Sequence, residues 1–315
     1  MLKRKFLKLS SSLIKLILPV LYRLLLKTGS NRRVINFLNE KSYFSNKFYD
    51  FSVIINSFLK SRKIVALDVG AQGGFNSDNF FPKKYNSFFK EILVEPIKSE
   101  SNKLEKDKYI INKGLWSTPA EKKLYILGNR PGSSSMFEPQ NELFDVHNIK
   151  KKDYENYKVT KIENIKCDTI NNLLSELSIK TLDYLKVDTQ GAELDILKGI
   201  GSYRPLLIRL EVHIFSMYKN VPSWNKLLNY LYELNYVAID LKGIGSHNTR
   251  LPAEADMIFV PNFNNDEGKN KILESKEKFV SLLLIFGQIN LLKIIAKRIK
   301  FDIKDLEKIE DLYFY

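Results

Sequence analysis

Short apolar runs alternate with amphipathic stretches from Lys63 to about Phe263. The runs KIVALDV (63–69), EILVEP (91–96), KYIINKGLW (108–116), TLDYLKVD (181–188), PLLIRLEVHI (205–214), YVAIDL (236–241) and ADMIFVP (255–261) read as strands. Helical patterns separate several of them, near 97–106, 169–178, 192–200 and 223–234. Near-continuous apolar strands joined by helices build a mostly parallel sheet covered on both faces. The expected class is therefore α/β. Segment 117–168 breaks the rhythm with EKKLYIL, a Gly/Ser loop and a second strand-like run near 157–167. It reads as an insertion over the sheet's edge or its active face.

Both ends carry a different pattern. Leu2, Phe6, Leu9, Leu13, Leu16, Val20 and Leu24 recur at spacings of three and four, an apolar helix stripe. Residues 1–30 hold seven Lys or Arg and no acid, and Lys15, Pro19 and Arg23 interrupt the apolar run. Such a helix is too short and too charged to span a bilayer and lacks a clear cleavage site. Two readings remain for it: an interfacial helix on an anionic membrane, or a helix docked on the α/β domain. After Asn264 a polar linker is expected to lead into the helical FVSLLLIFGQINLLKIIAKRIK (279–300). The expected division is 1–62, a basic amphipathic helical extension; 63–263, the α/β domain with 117–168 as its insertion or cap; and 264–315, a helical extension.

Composition changes this picture little. Fifty Lys and Arg against 36 Asp and Glu give a formal charge of +14, which suits membrane surfaces, nucleic acid or phosphorylated substrates, and equally a Lys-rich solvated surface. The single cysteine, Cys167, excludes an internal disulfide and suits a reducing compartment, so the expected place is cytoplasmic, peripheral on the inner face of the membrane. His147, His213 and His247 lie far apart and show no zinc-type spacing, and no metal is assigned.

Three stretches carry chemistry. In ALDVGAQGGFN (66–76) a strand delivers Asp68, and Gly70 and Gly74 open a tight turn ahead of a helix. Asp-x-Gly-x-x-x-Gly after a first strand matches a nucleoside-binding turn, whereas Gln72 stands where a dinucleotide fingerprint has its second glycine. Glu95 closes the second strand, where an acid accepts both hydroxyls of a ribose. In LKVDTQGAELDILKG (185–199), Asp188 ends the fourth parallel strand and Gly191 lets the chain turn, with Gln190 and Glu193 able to order the turn. Ligands of open α/β sheets sit outside the carboxyl ends of the strands, so this polar turn borders a site.

DVGAQGG, LVEP and LKVDTQGAELDILKG, in this order and spacing, resemble the FkbM family of methyltransferases. GSSSMFEP (132–139) and LIRLEVH (207–213) are similar more loosely, and the resemblance covers about 63–262. It implies a class I methyltransferase (Rossmann-like) fold, a mostly parallel seven-stranded sheet with helices on both faces. It also implies S-adenosyl-L-methionine as donor and a sugar, glycan or other small-molecule hydroxyl as acceptor. Carried over by position, Asp68, Gly70, Gln72, Gly74 and Glu95 hold the cofactor, and Asp188 borders the reacting centre. Gln72 departs from the family's usual Asn.

A sugar hydroxyl is a poor nucleophile and needs a base near the transition state. The candidates are Asp188, Glu211 and His213, the last two on one face of a strand. A nucleic-acid methyltransferase is disfavoured because DTQG, not an Asn-Pro-Pro-Tyr-like turn, follows the fourth strand. A non-catalytic membrane scaffold has no need of Asp68, Glu95 and Asp188 at matching strand ends. No nucleic-acid partner is expected, and an oligomer is possible.

Overall fold

The computed structural model describes residues 50–299 except 106–107, 141, 143, 145–148 and 243–252. Among the described residues the contacts divide into two compact units, a larger one within 62–78 and 86–279 and a smaller one within 50–61, 79–85 and 280–299.

The larger unit holds a seven-stranded sheet. Its strands are β1 (Ile64–Val69), β2 (Phe89–Val94), β3 (Tyr109–Ile111), β7 (Tyr184–Val187), β8 (Leu207–His213), β9 (Tyr236–Lys242) and β10 (Glu254–Pro261). The order is β3-β2-β1-β7-β8-β10-β9, with β1, β2, β3, β7 and β8 parallel and β10 antiparallel to both its neighbours. The chain winds outward from β1 to β3 and then returns to the other side of β1, so the order switches between β1 and β7. The central strands are buried nearly throughout, and one face of the sheet, with Leu67, Val69, Leu185, Val187, Ile208 and Leu210, packs in one apolar cluster with helices. Among those helices are α3 (Ile170–Glu176), α4 (Glu193–Lys198) and α5 (Trp224–Glu233), which bury Leu173, Leu174, Ile196, Leu197, Leu227 and Leu231. The short helix α2 (Lys98–Ser101) precedes them in this unit, and α1 (Ser52–Leu59) belongs to the smaller one.

The run expected as one strand at 108–116 is two. After β3, the Asn112 side chain donates to the carbonyls of Glu95 and Pro96, both at 2.9 Å, and turns the chain away. The next residues form β4 (Gly114–Leu115), which joins a separate sheet of order β4-β6-β5 with β5 (Ala120–Leu127) and β6 (Val159–Asp168). Strands β5 and β6 and their connection fall within segment 117–168. The β5–β6 connection brings Pro131, Gly132, Ser134 and Met136 to a cleft at the carboxyl ends of the main strands.

Where a polar linker was expected after Asn264, helix α6 (Asp266–Glu274) begins. Asn265 caps it, its side chain accepting from the Gly268 N–H at 3.0 Å. Helix α7 (Lys276–Ile285) follows.

In the smaller unit, the chain leaves α7 through Gly287, whose φ of +73° is a left-handed conformation. The Gln288 and Gly287 N–H groups donate back to the carbonyls of Leu283 and Leu284, closing the helix end before α8 (Ile289–Ile299) starts. Helix α8 buries Ile289, Leu292, Ile295, Ala296 and Ile299, one stripe at helical spacing. Among the described residues no helix is long and apolar enough to cross a membrane.

Candidate functional site

Each loop that follows β1, β2 and β7 reaches one cleft. It encloses about 530 Å³ of space, open to solvent, and its lining includes Gly70, Gln72, Glu95, Asp188, Thr189 and Gln190. Backbone hydrogen bonds fix the three loops on one another. Gly70 and Ala71 donate to the Val94 carbonyl at 3.0 and 3.1 Å, and Asp188 donates to the Val69 carbonyl at 3.0 Å. Gly70 permits this closeness. Its φ is +79°, and a Cβ there would lie 1.9 Å from the Asp188 carbonyl oxygen.

The expected site residues do not all face the cleft. Gly70, Gln72, Glu95 and Asp188 line it; Asp68 and Gly74 do not. Asp68 is buried at the end of β1, where burial raises its pKa and the charge of Lys186 opposes the rise. Lys186 Nζ lies 3.1 Å from Asp68 Oδ1, 3.5 Å from Asp188 Oδ2 and 3.3 Å from the Gly70 carbonyl. One buried ammonium therefore ties the ends of β1 and β7 together. Burial works to lower the Lys186 pKa, but the charges of Asp68 and Asp188 outweigh it and hold the group protonated. Sequence reading passed over Lys186. Its signal was a lysine inside a strand flanked by apolar residues, in register with Asp68 across the sheet.

Glu95 is 4% exposed. Its Oε1 accepts from the Ile97 N–H at 2.8 Å, and among the described residues no group donates to Oε2. Burial pushes this carboxyl up to about 7, with Glu100 adding to the rise and the Ile97 hydrogen bond opposing it. Gln72 points its amide at Glu100, donating at 3.1 Å. Its own Oε1 sits 2.3 Å from where a Cβ on Gly132 would lie, so the insertion and the β1 turn pack without a gap.

The polar turn after β7 is built as a bracket. Gln190 holds a left-handed φ of +59° and donates to Asp188 Oδ1 at 3.2 Å and to Glu211 Oε2 at 2.5 Å. The Tyr218 hydroxyl donates to Gln190 Oε1 at 2.8 Å, and Ser135 Oγ donates to the Gln190 carbonyl at 2.7 Å. Asp188 does not cap α4. The N-cap residue is Ala192, without a side-chain hydrogen bond, and Glu193 Oε1 accepts from the N–H groups of Thr189 and Gly191 instead. The acid after the strand is thus left for the cleft.

A second cleft shares Gln72, Pro131, Gly132 and Gln190 with the first. It is lined further by Asn129, Arg130, Tyr157, Glu211 and Glu254. Glu211 lines this cleft and not the first. His213 lies behind it, 6% exposed, with its ring edge-on to Tyr218. His213 Nε2 is 3.3 Å from Glu211 Oε2, close enough for charge to act, yet neither ring nitrogen has an aligned hydrogen-bond partner among the described residues. Burial and the Asp188 charge push the Glu211 carboxyl up. Burial would lower His213, but Glu211 reverses this and raises it. Glu254, the acid across from His213 in the β8–β10 register, went unnoticed in the sequence because antiparallel pairing alone brings it there. Cys167 is buried and has its thiol pushed up to about 11 by burial, so it adds no reactive group.

A family model for the methyltransferase FkbM domain matches residues 68–238. The chain belongs to the FkbM methyltransferase family, and its α/β sheet is the class I methyltransferase fold. No curated protein and no solved structure matches the chain significantly.

Proposed function

Starting from membership of the FkbM methyltransferase family, we propose that the protein moves a methyl group from S-adenosylmethionine to a hydroxyl oxygen of a sugar, glycan or other small molecule. The observation that carries this reading is the meeting of Gly70, Glu95 and Asp188, from three strand ends, around one cleft at the switch in strand order. The residues present fit the donor. Glu95 offers Oε2 to ribose hydroxyls, and Val69, Ile97, Leu115 and Met136 give apolar walls for a base. Bound there, S-adenosylmethionine supplies a methyl group on a positively charged sulfur.

The chain's own residues do the rest. Lys186 and Gln190 hold the Asp188 carboxylate at the cleft. Asp188 is placed to take the proton from the acceptor hydroxyl as that oxygen accepts the methyl group the bound donor would supply, leaving the neutral demethylated donor. Of the three candidate bases, Asp188 alone lines the donor cleft. Holding oxygen, carbon and sulfur in line is worth several kcal/mol. The second cleft, with Asn129, Arg130, Tyr157 and Glu254 on its walls, supplies hydrogen-bonding groups suited to a polyhydroxylated acceptor. A cytoplasmic enzyme held to the inner membrane face through residues 1–30 completes the reading; those residues lie outside the described ones.

Calorimetry with S-adenosylmethionine and its demethylated product tests the proposal. Both should bind the folded chain at one site, and methylation assays across sugar and nucleic-acid acceptors should favour the sugars. A folded protein that binds neither compound would end this reading.

A further inference from the structure

A buried histidine whose two ring nitrogens have no hydrogen-bond partner among the described residues, beside two carboxylates, is not explained by methyl transfer alone. His213 and Glu211 sit two residues apart on β8, and Glu254 faces His213 from the antiparallel β10. Strand alternation puts all three on one face of the sheet. One ligand atom from each lies within 4.8 Å of the others. Bonds of about 2.0–2.2 Å to a central cation place ligand atoms up to about 4.4 Å apart, so small side-chain rotations close the set.

We propose that Glu211, His213 and Glu254 bind one divalent metal cation of the kind represented by Mn²⁺.

A structural imidazolium would aim its N–H groups at acceptors, because a buried donor left unpaired is costly. His213 does not: the Glu211 contact at 3.3 Å lacks hydrogen-bond alignment, and neither ring nitrogen is otherwise engaged among the described residues. A ring nitrogen that accepts a metal needs no such alignment with the carboxylate. Two carboxylates and a neutral imidazole carry the charge that a divalent ion cancels. One nitrogen with two oxygens is a mixed set between the imidazole preference of later transition metals and the oxygen preference of Mn²⁺ and Mg²⁺. Arg130, whose charge also reaches Glu254, is engaged by its bond to the Tyr157 hydroxyl.

Glu211 and Glu254 line the second cleft, so the ion's remaining positions face the space assigned above to the acceptor. An acceptor hydroxyl bound there would be more acidic, which eases its loss of a proton. That role rests on the proposed methyl transfer; the metal site itself does not.

The test is titration of full-length protein with Mn²⁺, followed by loss of the free-ion electron paramagnetic resonance signal. Wild type should bind one strongly held ion. Glu254→Gln, at an exposed position, should keep the melting temperature and weaken that site by more than about 100-fold, beyond the cost of losing an outer-shell partner. His213→Gln should do the same to binding. Folded wild type that leaves the Mn²⁺ signal unquenched at millimolar ion would overturn the proposal, as would equal binding by wild type and both variants. Calorimetry with S-adenosylmethionine on the same samples reports separately on the methyltransferase reading.

Discussion

Replacing Glu95 by glutamine should make the protein more stable at pH 8 while removing most of its affinity for S-adenosylmethionine. Burial lifts the Glu95 carboxyl from an ordinary 4.5 to about 7. The folded chain therefore binds this proton more tightly than the unfolded chain. Its contribution to stability is fullest below pH 4.5, declines as pH rises toward 7, and is level above that. The gap between 4.5 and about 7, at about 1.36 kcal/mol per pH unit, comes to roughly 3 kcal/mol held against the fold above neutral pH. Glutamine keeps the shape and an oxygen for the Ile97 N–H but carries no charge. Urea denaturation should give equal stabilities near pH 4.5 and an advantage of about 2–3 kcal/mol for Glu95→Gln at pH 8. A donor hydrogen-bonded to a charged acceptor is worth about 1.5–3 kcal/mol, so losing the charge under two ribose hydroxyls should weaken binding by about 100-fold or more. Lower stability at both pH values, together with unchanged affinity, would mean that Glu95 is a strand-end cap and not a ligand group.

The other predictions concern the neighbouring charges and the N-terminus. Asp188→Asn should leave stability and donor affinity almost unchanged, because Asp188 does not cap α4, while turnover falls about 100-fold or more; normal turnover refutes its role as base. Lys186→Met strands Asp68 in the sheet without its cation, and urea denaturation at pH 7 should show a loss of about 3–5 kcal/mol; a smaller loss would mean that the Asp68 carboxyl is readily neutralised. Donor affinity of the wild type, measured by calorimetry, should weaken about tenfold for each pH unit below about 7, as Glu95 takes up its proton; a flat profile argues against an ionised Glu95 in the complex. Anionic liposomes should float the full-length chain but not one starting at Asn31, and equal flotation of both would remove the membrane role of residues 1–30.

Local pattern determined much of this protein. Strand ends carry their own marks in sequence, because an apolar run stops where polar or glycine residues begin. Asp68-Val69-Gly70, Val94-Glu95-Pro96 and Val187-Asp188 could therefore be placed at strand ends before any fold was seen. The order of strands and helices then points to a mostly parallel sheet whose parallel strands share a loop end, and Gly70, Glu95 and Asp188 meet there. The polar turn after β7 could be read from its composition as bordering a cleft, and Asp188, Thr189 and Gln190 line one.

What pattern could not carry is pairing across distance. β4 leaves the main sheet because Asn112 reaches back to two carbonyls, a contact with no periodic signal. Lys186 reads as an ordinary polar residue until β1 lies beside β7 and sets it against Asp68. Gln190 becomes a bracket only once Glu211 and Tyr218, from later in the chain, arrive at its amide. Glu254 meets His213 through the register of two antiparallel strands, where a slip of one residue would turn it to the opposite face. A strand shows in sequence which residues share a face; which charges those faces bring together is decided only when strands far apart in the chain come into register.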